Sequence, residues 1–144
     1  LGVSVPVHWP PPFSDAAVRD WFRDQLRADP DLAPWLGYYV VATIYGRETL
    51  VGTAGYKGPP DADGSVEIGY SLVAAYHRMG IGTATVTRLV EQAFADSRVK
   101  RVTAETLVGL TASRGLLEKC GFVSIGKRVD PEDGELVVYS LERA

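Results

Sequence analysis

The chain has 144 residues, 46% of them hydrophobic and 23% charged, with a net charge of −3. That describes one globular domain, residues 1–144, with a core of ordinary size, and its acidic balance argues against nucleic acid as an electrostatic partner. A single cysteine, Cys120, excludes an internal disulfide framework and a cysteine-based zinc site, and no apolar run approaches the ~18 residues of a membrane span, so the cytoplasm is the expected compartment.

Residues 1–13 read as an extended arm. Four of the nine prolines fall there, and Pro10-Pro11-Pro12 cannot form a helix interior. Trp9 and His8 either pack on the domain or line a cleft. Ser14 or Asp15 caps a predicted helix to about Ala28, with Val18, Trp21, Phe22 and Leu26 on one face. Pro30 and Pro34 bound a turn. Gly37 to Tyr45 and Thr49 to Tyr56 are rich in β-branched and aromatic residues and form a predicted antiparallel hairpin through Gly46-Arg47-Glu48. The loop 57–64 is turn-rich. Its Asp61 and Asp63 lack the oxygen-ligand series of a calcium loop and read as solvated turn residues, so no metal is expected.

Ser65 to Leu72 is a predicted strand with Val66, Ile68, Tyr70 and Leu72 on one face and Glu67, Gly69 and Ser71 on the other. A helix follows from about Gly82 to Asp96, with Ile81, Ala84, Thr85, Val86, Leu89, Val90, Ala93 and Phe94 in a broad apolar stripe. Val102 to Leu107 is a strand and Thr111 to Lys119 a helix ending at Gly121. Phe122 to Val129 and Leu136 to Leu141 are two final strands. Helix, three strands, helix, strand, helix and two strands make an α+β layout, with a mostly antiparallel sheet and one parallel step.

The stretch from Ala74 to Ala84 joins a strand to a helix through Gly80 and Gly82. First-turn helix amides have no intrahelical partner, and the helix dipole adds about half a positive charge there, so this arrangement suits a phosphate. Arg78 adds a cation; the alternative is a plain connector. A dinucleotide fingerprint would need a glycine where Thr85 stands, and a P-loop would need Gly-Lys-Ser/Thr, which is absent.

His77-Arg78-Met79-Gly80-Ile81-Gly82 resembles the pyrophosphate loop Q/R-x-x-G-x-G/A of the GNAT N-acetyltransferase superfamily, with His77 in place of Gln or Arg. Glu67-Ile68-Gly69-Tyr70 resembles the "EIGY" strand of its ribosomal-protein N-terminal acetyltransferase branch. Ala104-Glu105-Thr106 followed by Ser113 and Leu117-Glu118-Lys119-Cys120-Gly121-Phe122 resembles that branch's later motif. The resemblance covers roughly residues 14–142.

The resemblance implies a central sheet splayed in its middle and flanked by helices, with acyl-CoA in the gap. Backbone groups of Leu72 and Ala74 would pair with the pantetheine arm, and the amides of His77, Arg78, Met79, Gly80, Ile81, Gly82 and Thr83 would hold the pyrophosphate. The implied reaction is direct attack of a primary amine, on a small molecule or a protein N-terminus, on the thioester of acetyl-CoA without a metal. Glu67 is then the candidate base, with a solvent-facing or Arg78-bonded carboxylate as the alternative. Ser113 is the candidate donor to the leaving thiolate, with a helix-cap role as the alternative.

Three positions depart from the family: Leu110 replaces an Asn, Leu117 a Tyr acid and Ile125 a Glu. They motivate a second reading, a non-catalytic acyl-CoA-binding or sensing module; a domain that binds no CoA is a third. Cys120 reads as core filler. The family's first strand and helix have no counterpart in this reading. They would form one acceptor wall, hence the expectation of a homodimer paired near an exposed sheet edge. Trp9, Trp35, Tyr38 and Tyr39 either shape the acceptor pocket or pack in the core.

Overall fold

A computed structural model describes residues 2–11 and 16–144. Helix α1 (Ala16–Ala28) and a short 3-10 helix (Pro30–Trp35) precede strands β1 (Gly37–Ile44), β2 (Arg47–Tyr56) and β3 (Ser65–Leu72). Helix α2 (Ile81–Phe94), β4 (Arg101–Leu107), α3 (Thr111–Lys119), β5 (Val123–Asp130) and β6 (Gly134–Glu142) follow. The proposed caps Ser14 and Asp15 lie outside the described residues. Asp29 caps the 3-10 helix, accepting from the Asp31 amide at 3.0 Å, so the expected turn is a helical one.

The β1–β2 connection is tighter than expected. Tyr45 and Gly46, both at positive φ, make a two-residue turn whose twist matches the hairpin, and pairing therefore begins at Ile44 and Arg47. Helix α3 ends as its sequence dictates: the Gly121 amide donates to the Glu118 carbonyl at 3.0 Å and that of Phe122 to Leu117 at 3.0 Å.

The six strands form one sheet in the order β1-β2-β3-β4-β6-β5, antiparallel except at β3–β4. The core lies between this sheet and helices α2 and α3, where Tyr56, Val66, Ile68, Val86, Leu89, Val102, Leu117 and Tyr139 are buried. On α2, Ala84 faces solvent and Gly82 takes its place in the buried stripe. Cys120 packs against the core, as a small apolar residue does. The arm adds one parallel bridge, Ser4 to Thr49, in which the Leu50 amide donates to the Ser4 carbonyl at 2.8 Å. Strands β1 and β5 are the edges of the sheet, and on β5 Val123, Ile125 and Val129 are exposed.

Candidate acyl-CoA and acceptor site

The parallel pair that joins the two halves of the sheet is short. Only Ser65 to Ile68 pair with Arg101 to Ala104; Gly69–Leu72 and Glu105–Leu107 continue as strands but diverge. Alternation fixes what the gap contains. Lys57 donates to the Glu67 carbonyl and Val73 to that of Val51, so the odd-numbered residues of β3 bond toward β2. The backbone groups of Tyr70 and Leu72 therefore point the other way, into the gap.

The phosphate loop closes one end of this gap. Gly80 is at φ +79°, a left-handed conformation that glycine adopts without strain, and Arg78 adopts φ +62°, which is costly for a residue with a side chain. The first intrahelical bond of α2 is from Ala84 to Gly80, so the amides of Ile81, Gly82 and Thr83 carry no helical bond. Gly82 has a different reason to be glycine: a Cβ there would lie 2.5 Å from Leu116 Cδ1, so its size lets α2 pack on α3. The His77 ring bonds through Nε2 to the Leu72 carbonyl at 2.9 Å, tying the loop to the end of β3. That bond occupies one of the Leu72 groups expected for pantetheine and leaves the amide. Open backbone on a strand edge and three bare helix amides match the amide arm and pyrophosphate of acyl-CoA.

On the α-helical side of the gap, Ser113 Oγ lies 3.0 Å from the Tyr70 hydroxyl. Ser113 does not cap α3. Arg114 anchors the start of that helix, donating to the Tyr139 hydroxyl and to the Val108 carbonyl, each at 3.3 Å. Burial raises the Tyr70 phenol above its ordinary pKa, against an opposing effect of the Ser113 bond, so it remains protonated at neutral pH. Leu117, where a tyrosine acid was sought, is buried in the core, where it contributes about 2–3 kcal/mol.

The opposite face carries Glu67. Its partner is Lys57, not Arg78: Oε2 is 2.6 Å from Lys57 Nζ. Although Oε2 is shut off from solvent, the contact lacks hydrogen-bond directionality, so it is a close ion pair. Beside it, Glu105 receives Arg128 through both oxygens, at 2.9 and 2.6 Å. Arg128 holds the Glu105 carboxyl below its ordinary value of 4.5. A depressed folded-state pKa stabilises above the ordinary carboxylate value, and that stabilisation is lost as pH falls through the folded one. Arg128→Met should therefore lower stability at pH 7 by about 1–2 kcal/mol, between the values for exposed and buried pairs, and the deficit should shrink by pH 3. Urea unfolding at the two pH values checks this.

Along the same face runs a cleft of about 660 Å³. Its floor includes three glycines in register across three strands, Gly37, Gly55 and Gly69. A Cβ at Gly37 would touch the Phe22 ring at 3.3 Å, and one at Gly69 would meet nothing within 4 Å. Helix α1 roofs the cleft, and Trp9 and Tyr39 close it, their rings 6.3 Å apart. Tyr38 lines it as well, but Trp35 does not: it packs on Tyr56 at 5.3 Å. Gly69, Tyr70 and Ser71 belong both to this cleft and to the diverging part of β3, so cleft and gap meet there.

Sequence reasoning missed Lys57, the Tyr70 hydroxyl and the role of α1. A glycine in each of three successive strands was the available signal, because strand glycines mark close approach of a ligand or another backbone. Among the described residues, no group of His, Cys, Asp and Glu side chains could hold a metal ion. No helix there is long and apolar enough to cross a membrane.

A split sheet with an amide-rich helix start at its mouth defines the acyl-CoA-binding class of fold. Residues 4–123 match the acetyltransferase (GNAT) domain model, and the chain belongs to that family. It is similar to the uncharacterised N-acetyltransferase YjdG of Bacillus subtilis, 32% identical over 74 residues that make up 51% of this chain and 44% of that one. The putative ribosomal N-acetyltransferase YdaF of the same organism is 35% identical over 80 residues, 52% of this chain and 44% of that one. The matched region thus spans less than half the length of these curated relatives. Among solved structures, the aminoglycoside acetyltransferase AAC(6′)-Ib in complex with coenzyme A superposes with a TM-score of 0.61 at 25% identity, covering 77% of this chain and 69% of that one.

Proposed function

We propose that this chain binds acetyl-CoA in the gap between β3 and β4 and transfers the acetyl group to a primary amine held in the adjoining cleft. The observation that carries this reading is the divergence of β3 from β4 after Ile68, beside the bare amides of α2. The pyrophosphate would rest on the amides from Arg78 to Thr83, since the expected His77 amide donates instead to the Ala74 carbonyl at 3.2 Å, and the pantetheine arm against Tyr70 and Ala74, with the Leu72 amide left for the thioester.

Glu67, beside the open floor at Gly69, takes the proton of the attacking amine, directly or through a water. Lys57 keeps the carboxylate in place and balances its charge. The Leu72 amide polarises the thioester carbonyl. The nitrogen–carbonyl bond forms as the carbon–sulfur bond breaks, and the sulfur leaves as a thiolate. Ser113, backed by the protonated Tyr70 hydroxyl, supplies the donor that the absent tyrosine provides elsewhere.

The test is thermal unfolding with and without millimolar CoA, followed by thiol release from acetyl-CoA across a panel of amines. CoA at a hundredfold excess over Kd should stabilise the fold by about 2.7 kcal/mol. Glu67→Gln should keep that shift and lower kcat about 100-fold. Binding without turnover on any amine would instead make this an acyl-CoA-binding module, and no shift at all would overturn both readings.

A further inference from the structure

His77, which stands where the family usually has Gln or Arg, ties the phosphate loop to the end of β3. We propose that it is a positioning residue that carries occupancy of the loop to the Leu72 amide. Binding of the nucleotide end of the acyl donor then sets the group that receives the thioester oxygen. This deepens the transfer reading and rests on it for the role of that amide.

One end of the link is a single peptide plane. The group joining Leu72 to Val73 is held on both sides: the Val73 amide donates to the Val51 carbonyl at 2.8 Å, and the Leu72 carbonyl accepts from His77 Nε2 at 2.9 Å. The Leu72 amide belongs to the neighbouring plane, which meets this one at the Leu72 Cα, so its aim depends on how the first plane is held. Without the imidazole, the first plane keeps its bond to Val51 and is free to tilt about it.

The other end is the loop itself. The His77 amide donates to the Ala74 carbonyl at 3.2 Å, and the chain then bends through Arg78 at φ +62° and Gly80 at φ +79°. A residue with a side chain stays in the left-handed region only where its surroundings hold it there. An anion on the amides from Arg78 to Thr83 fixes this bent segment, and the ring passes that constraint to Leu72. Histidine has fewer side-chain torsions than glutamine or arginine, so the tie is stiffer than the family's usual residue would make it. Binding energy gathered far from the reacting carbon then appears in kcat and not only in KM. His77 is exposed, so it can be replaced without disturbing the core.

The experiment compares saturating acetyl-CoA with saturating acetylpantetheine, which keeps the thioester and the arm but lacks the pyrophosphate and nucleotide, on the best amine of the panel. In the unmodified protein kcat should be about tenfold higher with acetyl-CoA, a difference of ~1.4 kcal/mol that one hydrogen bond can carry. His77→Ala should bring the ratio of the two kcat values close to unity, and His77→Gln, whose amide can donate to the same carbonyl, should restore most of it. A ratio near unity before any substitution, a ratio unchanged in His77→Ala, an effect on KM alone, or no recovery in His77→Gln would overturn the proposal. If no amine releases thiol, the transfer reading fails, and the Leu72 amide signal in nitrogen–proton NMR spectra decides the inference. The probe is then 3′-phosphoadenosine 5′-diphosphate, the nucleotide end of CoA without its arm. A Leu72 signal that moves with this probe in the unmodified protein and stays in His77→Ala upholds the coupling. A signal that moves in neither, or equally in both, overturns it.

Discussion

Gly69→Phe should leave the protein folded and able to bind CoA, and should lower kcat/KM for acetyl transfer by about 100-fold or more, because the two reacting groups can no longer be brought together. Gly69 lies within β3 at the point where β4 turns away, and a Cβ built there meets nothing within 4 Å. A phenyl ring at this position would occupy the floor between Glu67 and Ser71, where the proposed mechanism brings the amine to the thioester. A strand interior accepts phenylalanine better than glycine, so thermal stability should hold or rise. The CoA-induced shift should persist, because the phosphate-loop amides and the Leu72 backbone are untouched. Parallel measurement of melting, CoA stabilisation and turnover checks all three. A variant with normal turnover would show that the acceptor does not use this floor.

Tyr56→Ala should cost about 3–5 kcal/mol, the range for truncating a large aromatic in a packed core. Tyr56 has no exposed surface, stacks against Trp35 at 5.3 Å and Tyr38 at 6.4 Å, and donates its hydroxyl to the Leu89 carbonyl at 2.7 Å. It is the point where the β1–β2 hairpin, the segment before it and α2 meet. Tyr56→Phe separates the two contributions. It keeps the ring and removes only the bond to Leu89, whose carbonyl also serves the helix, and should cost about 1 kcal/mol. Urea unfolding of both variants gives the division; near-equal losses would place the energy in the hydroxyl rather than the packing.

Local pattern was enough to bound much of this fold. Period-two alternation located β3, and the terminal glycine located the end of α3, because both signals are written in the backbone preferences of the residues themselves. The same alternation put Tyr70 on the core face, which is where it is. What alternation cannot show is that the face changes character after Ile68, where the sheet divides and Tyr70 meets Ser113. Pairing of Gly37, Gly55 and Gly69 is a matter of register between strands, and no single segment reveals it. Lys57 was hidden for another reason: it begins a turn-rich loop, and only folding brings its ammonium to Glu67. Net charge is silent for the same reason: an average of −3 over the chain does not show that Arg19 and Arg23 line one cleft.

The brevity of the parallel pairing has a mechanical meaning. Strands β1, β2 and β3 form one plate and β4, β6 and β5 another, and within the sheet only the rungs between Ser65–Ile68 and Arg101–Ala104 join them. In the proposed complex, an amide-bearing arm laid along Tyr70 would occupy the place of the rungs that the chain itself lacks, and so would act as a splint between the plates. Affinity for the acyl donor and stiffness of the reaction surface would then be two readings of one free energy, each rising with the other. The surface would be most rigid while the donor lies in place, and would loosen each time spent CoA departs.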